Sequence, residues 1–258
     1  MRILVMGAGH MGSWLVEGLC LDHEVAVYDI DRTKLNFFFS VRRLLELHEI
    51  EGFEPQLVIN AVSLHNTGKA FDDALPYIPQ DCILSDIASV KTGFFDLYQR
   101  QGRRFVSTHP MFGPTFSNIR DLRDENAIII KESDEEGKAF FQAFYDKLKL
   151  NIYEYTFEEH DRTIAYSLSI PFASSMVFAA CMKKQEAPGT TFRKHLDIAK
   201  RLLSEDDHLL AEILFNTHTI RQIEEINSRL AHLTHIIRGR DFEEMQKFLN
   251  RLRDNIAE

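Results

Sequence analysis

Cysteine is scarce in this 258-residue chain: Cys20, Cys82 and Cys181 lie far apart, with no CxxC pair and no His/Cys cluster. That excludes a disulfide scaffold, and no metal site is expected; a sparse, odd set is what reduced cytosolic thiols look like. Proline and glycine are also few, and no low-complexity linker or internal repeat divides the chain. Positive charge is in deficit, 30 Lys and Arg against 39 Asp and Glu, for a formal charge of −9. Nucleic acid and anionic membranes reward clustered cations, so neither is expected as a partner. No signal peptide precedes the first apolar run, and a cytoplasmic location is expected. Long uncharged runs are missing but for residues 163–182, which could span a bilayer by length. Ser167, Ser169, Ser174, Ser175 and Pro171 interrupt that run, and a helix buried between subunits or domains is the expectation.

What is present begins at once. Residues 2–6 form a short apolar run that stops at Gly7-Ala8-Gly9-His10-Met11-Gly12, and residues 13–20 carry Trp14, Leu15 and Leu19 at helical spacing. Strand, GxGxxG and helix in that order are the context a dinucleotide fingerprint requires. Gly7 allows the tight turn, Gly9 lets a pyrophosphate approach the backbone, and Gly12 lets helix and strand pack closely. The helix start then offers unpaired N–H groups to phosphate. The second check is an acidic residue about 20 positions on. Residues 24–28 read as the second strand and end at Asp29. A carboxylate there accepts ribose hydroxyls and repels a 2′-phosphate, so NAD is expected over NADP, with Arg32 leaving some room for NADP. The cofactor-contacting positions expected are Gly7, Gly9, His10, Met11, Gly12, Asp29, Arg32, Val62 and Ser63. As side chains, His10, His65, His160 and the C-terminal histidines read as structural or surface groups.

A helical segment is expected around residues 41–47, a buried strand over 57–62, and part of a helix over 71–77. Strands follow at 82–84, 103–106, 127–130 and 151–155, with a helix at 135–148. Alternating strands and helices argue an α/β fold with a Rossmann-type doubly wound, mainly parallel sheet. From about residue 158 only helical periodicity remains, over 162–183, 191–203, 207–230 and 242–256. The expected division is a dinucleotide-binding domain, 1–155, and an all-helical domain, 156–258.

The chemistry concentrates in Ser107-Thr108-His109-Pro110-Met111-Phe112-Gly113-Pro114. Proline after His109 biases that histidine toward extended backbone, and Gly113-Pro114 reads as a turn. His109 therefore sits at a strand-to-loop corner, where ligands collect in open α/β sheets. On this segment alone the imidazole reads equally as a catalytic base and as a satisfied structural histidine.

Ser85-Asp86-Ile87-Ala88-Ser89-Val90-Lys91, followed by His109-Pro110-Met111-Phe112-Gly113-Pro114, resembles prephenate dehydrogenases, and most of all the dehydrogenase portion of fused chorismate mutase–prephenate dehydrogenases. The likeness also takes in the glycine loop, Ala61-Val62-Ser63-Leu64-His65, Glu159-His160-Asp161, Phe192-Arg193 and Arg201-Leu202-Leu203. It implies NAD-dependent oxidative decarboxylation of prephenate to 4-hydroxyphenylpyruvate, on the path to tyrosine, and a helical domain that dimerises. It further implies His109 as base, Ser89 touching the ring hydroxyl, and Arg201 holding a substrate carboxylate. Arg193 and Lys91 are weaker substrate-binding candidates: Arg193 also reads as surface charge, and Lys91 as a partner of Asp86 or a solvated lysine. Ser89 could equally cap a helix. Leu168-Ser169-Ile170-Pro171-Phe172 lacks the histidines many relatives carry there, and neither a mutase segment nor a regulatory domain is expected in the chain. Arogenate dehydrogenase, another hydroxyacid dehydrogenase and a non-catalytic NAD sensor are the alternatives.

Overall fold

The computed structural model of the chain describes residues 1–113 and 122–257. Its frame is an eight-stranded sheet: β1 (Arg2–Met6), β2 (Glu24–Tyr28), β3 (Arg42–Leu44), β4 (Leu57–Asn60), β5 (Ile83–Asp86), β6 (Phe105–Pro110), β7 (Asn126–Ile130) and β8 (Asn151–Tyr155). The strand order is β3-β2-β1-β4-β5-β6-β7-β8. Strands β1 to β6 run parallel, β7 pairs antiparallel with β6 (His109 opposite Ile128), and β8 is parallel to β7. Apolar runs become strands here because helices cover both faces of the sheet. In β4, Leu57 and Ile59 join the core under α1 (His10–Leu19) and α5 (Glu135–Lys147). Val58 joins the opposite core under α3 (Thr67–Ala74) and α4 (Phe94–Gln101). The Rossmann-like N-terminal part is thus doubly wound, as expected.

The chain departs from expectation at residues 41–47. There, the short edge strand β3 stands in place of a helix, after a short helix α2 (Arg32–Leu35) and before a 3-10 turn, Leu47–Ile50. Two exposed arginines, Arg42 and Arg43, occupy β3, and pairing of Val27 with Arg43 outweighs local helical spacing.

After β8 every element is helical: α6 (Phe157–Cys181), α7 (Thr190–Leu202), α8 (Asp207–Leu214), α9 (Thr219–Gly239) and α10 (Phe242–Asn255). The single helix expected over 207–230 is therefore two. Between them, Asn216 is buried, donates from Nδ2 to the Asp161 carbonyl (2.9 Å) and accepts the His218 N–H. Helix α6 starts in a capping box, Thr156 with Glu159, and contains Pro171. Its first turns bury Phe157, His160, Asp161, Ile164 and Ala165, which docks them on the sheet; no residue of its second half is buried.

Candidate active site

The parallel strands place the ends of β1, β4, β5 and β6 along one edge of the sheet. At the first of these, Gly7 holds φ of 99°, and an added Cβ would lie 2.7 Å from the Ala61 carbonyl oxygen. A Cβ on Gly12 would run into the Gly7 carbonyl, whereas one on Gly9 would meet nothing within 4 Å. The loop is closed against β4 and open on its outer side, the shape a pyrophosphate needs. The first turn of α1 (His10, Met11, Gly12) lacks intrahelical acceptors for its N–H groups, and Gly9 caps it. These residues fit a dinucleotide. Asp29 is buried: Oδ2 accepts the Ala8 N–H (2.7 Å) and Oδ1 the Asp31 N–H (2.8 Å). Its carboxylate therefore braces the loop, with spare lone pairs for a ribose. Arg32 pairs with Glu46. Val62 and Ser63 follow β4; the Val62 N–H reaches Asn60 Oδ1 (3.3 Å), and Ser63 Oγ accepts from Asn66 (2.9 Å).

At β6, Pro110 keeps the backbone extended, and Phe112 then anchors the exit by packing edge-on against Trp14 of α1 at 5.2 Å between ring centroids. Pro114 lies outside the described residues. His109 is 6% exposed. Its Nδ1 lies 3.0 Å from His160 Nε2, and His160 Nδ1 lies 3.0 Å from Asp161 Oδ1. Asp161 Oδ1 also accepts the Lys91 N–H (2.8 Å), and Oδ2 accepts the Thr92 hydroxyl (2.6 Å). Burial pushes His109 well below the usual histidine range, helped by His160 and the Lys91 charge. Burial likewise lowers His160, against the opposing pull of Asp161. Burial alone would raise the Asp161 carboxyl, but the bonds from His160, Thr92 and Lys91 together hold it below the ordinary carboxylate value. The cluster is a neutral imidazole pair backed by a carboxylate, a fitting acceptor for one proton.

Lys91 is a correction to its assignment as a substrate contact. Its ammonium is fully enclosed, pairs with Asp86 and donates to the Thr108 carbonyl (2.8 Å). Asp86 in turn accepts the Tyr98 hydroxyl (2.7 Å). Lys91 therefore ties the ends of β5 and β6 together. Ser89 is half-buried in the bend after β5; the N-cap of α4 is Gly93, not Ser89. Arg193 and Arg201 both lie exposed on α7, whose buried face is Ala199 and Leu202. Neither joins the hydrogen-bonded cluster at His109. The next helix, α8, returns to the loop after β4, where His208 packs on His65 at 4.4 Å between ring centroids. His160, read from sequence as structural or surface, is the residue that joins His109. Its signal was available: Phe157, His160, Asp161, Ile164 and Ala165 share one helical stripe, so the polar pair falls on the buried face.

Residues 20–146 match the family model described as prephenate dehydrogenase, nucleotide-binding domain. The chain is 23% identical over 208 residues to a Methanocaldococcus jannaschii protein described as "Probable arogenate/prephenate dehydrogenase", covering 75% of this chain and 46% of that one. It is 22% identical over 175 residues to the T-protein of Enterobacter agglomerans, covering 63% of this chain and 45% of that one. The chain thus spans just under half the length of these curated relatives. Among solved structures it resembles prephenate dehydrogenase from Aquifex aeolicus in complex with hydroxyphenyl propionate and NAD+, with TM-score 0.85, 20% identity, and 99% and 96% of the two chains covered. Synechocystis arogenate dehydrogenase follows the same fold with TM-score 0.77, 17% identity, and 99% and 98% covered.

Proposed function

We propose, from the match of residues 20–146 to the prephenate dehydrogenase nucleotide-binding model and the likeness to a curated arogenate/prephenate dehydrogenase, that this chain catalyses the oxidative decarboxylation of prephenate to 4-hydroxyphenylpyruvate with NAD. The observation that carries this reading is a buried, neutral His109 on the same sheet edge as the open glycine loop. Three strand spacings, roughly 14 Å, separate β1 from β6, a span for a dinucleotide laid across the edge with its reactive ring toward His109.

When bound, the nicotinamide supplies the hydride acceptor. His109 takes the proton of the ring hydroxyl, so that O–H breaks, N–H forms and a carbonyl develops as the hydride leaves the same carbon. Breaking the bond to the ring carboxylate releases CO2, and its electron pair passes through the ring to the carbonyl oxygen, which takes the proton back from His109 to complete the aromatic phenol. Ser89, at the neighbouring strand end, donates to the hydroxyl oxygen. Arg201, with Arg193 as the weaker candidate, holds substrate carboxylate through its planar fork. Gly7, Gly9, His10, Met11, Gly12, Val62 and Ser63 line the cofactor side, and Asp29 with the Arg32–Glu46 pair supports NAD over NADP. The second half of α6, in which no residue is buried, supports a homodimer through the helical part. Arogenate is the second reading, supported by the likeness to a protein described as an arogenate/prephenate dehydrogenase and to the fold of an arogenate dehydrogenase.

The test is the appearance of reduced cofactor with prephenate or arogenate, each with NAD and with NADP. His109→Asn is expected to lower kcat by ~10²–10⁴ with cofactor affinity kept. Comparable turnover in that variant refutes His109 as base, and no turnover with either substrate refutes the activity.

A further inference from the structure

We infer that His160 and Asp161 are positioning residues that determine which nitrogen of His109 is the base. The inference rests on the dehydrogenase reading above and deepens it.

The argument is a count of protons. Asp161 Oδ1 receives the Lys91 backbone N–H at 2.8 Å, and Oδ2 receives the Thr92 hydroxyl at 2.6 Å. A carboxylate so placed is ionised and can only accept. The proton between Asp161 and His160 therefore belongs to His160 Nδ1, 3.0 Å away. A neutral imidazole carries one proton, so His160 Nε2 presents a lone pair. That lone pair faces His109 Nδ1 at 3.0 Å, and the proton between the two rings belongs to His109 Nδ1. His109 Nε2 is left unprotonated and has no hydrogen-bond partner among the described residues, free to accept the hydroxyl proton.

The reverse chain needs a proton on Asp161, which the Lys91 N–H and the Thr92 hydroxyl, both donating to it, oppose. The other charged groups near the pair are Lys91 and Asp86, which satisfy each other. Burial keeps both imidazoles neutral, and the Lys91 charge adds to it. Once His109 accepts the proton, its Nδ1–H still points at His160 Nε2, and the Asp161 carboxylate behind it answers the new positive charge. An isolated neutral histidine exchanges between two tautomers, only one of which is a base at Nε2. The dyad removes the wrong one. Asp161 also fastens the end of the β5 loop to α6 through Lys91 and Thr92, so the same carboxylate sets the position of the residues that follow Ser89.

Two measurements test this. The first is 15N NMR of the full chain with labelled histidine, above the titration range and without substrate. His109 is expected with its proton on Nδ1; a proton on Nε2 overturns the inference. The second compares His160→Phe, which removes the acceptor at similar volume, with His160→Gln, whose amide oxygen can replace Nε2. His160→Phe is expected to lower kcat by about 10²-fold and to change substrate KM and cofactor Kd by less than about 2-fold. His160→Gln should restore about a tenth of the wild-type kcat or more, with His109 again protonated at Nδ1. Equal kcat in His160→Phe and wild type, or no difference between the two variants, overturns the inference. If His160→Phe fails to fold, the wild-type tautomer decides. If wild type turns over neither substrate, the dehydrogenase reading falls, while the NMR result still decides the positioning role.

Discussion

Gly9 and Gly12 sit three residues apart in one loop, yet they answer to opposite constraints. Space is open at Gly9, so Gly9→Ala is expected to fold with unchanged urea midpoint while weakening dinucleotide binding. At Gly12 a methyl collides with the Gly7 carbonyl, so Gly12→Ala should destabilise the chain by ~1–3 kcal/mol and abolish binding. Cofactor titration and urea unfolding of both variants check this. The buried histidines give a pH signature of their own. Unfolded, they titrate near ~6.5; folded, both are held lower. Below about 6.5 the unfolded chain binds more protons, so stability rises with pH there. It should be full above that point and fall on acidification toward the lowered folded values. Urea midpoints across this window should show the slope, flattened in His109→Asn. Much of the residue-scale site was legible: the glycines and Asp29 follow from a local strand–turn–helix pattern, and His109 from its proline. The partnership of His160 with His109 was hidden because it joins residues 51 apart in the chain, while its own neighbourhood, Glu158 to Arg162, has the charge of an exposed helix start. For Lys91 the pairing with Asp86 was among the readings the sequence offered, while its burial, set by Asp86 and the β6 backbone, was not legible.

At the scale of elements, the strands of the sheet core were readable because burial on both faces leaves them nearly all apolar. Strand β3 lies at the sheet's edge and carries exposed arginines, so no such pattern marks it. The break between α8 and α9 was equally silent, since neither Gly nor Pro interrupts residues 207–230. Asn216 makes the break by bonding the Asp161 carbonyl and the His218 N–H. Asn216→Ala leaves that buried carbonyl without its donor and is expected to cost ~1–3 kcal/mol. The expected sign is a lower urea midpoint. If the midpoint is unchanged, Asn216 does not hold the break.

For the whole molecule, the sequence drew attention to residues 163–182 as an uncharged stretch. The corresponding helix, α6, has the length and hydropathy of a membrane span, mean hydropathy 1.6, yet only 17% of its apolar window is buried. Val177 on α6 and Ile220 on α9 are 57% and 64% exposed. With a second copy covering this surface, the chain should sediment as a dimer without detergent, and Val177→Lys should shift it toward monomer. A monomeric wild type, or one that requires detergent, refutes the dimer.

Helix α6 is unbroken from Phe157 to Cys181, about 37 Å of chain at 1.5 Å per residue. Its near end holds His160 and Asp161, while no residue of its far end is buried. A neighbour that clasps the far end takes hold of the same rod that aims His160, and can steady or tilt the aim from several turns away without touching the sheet.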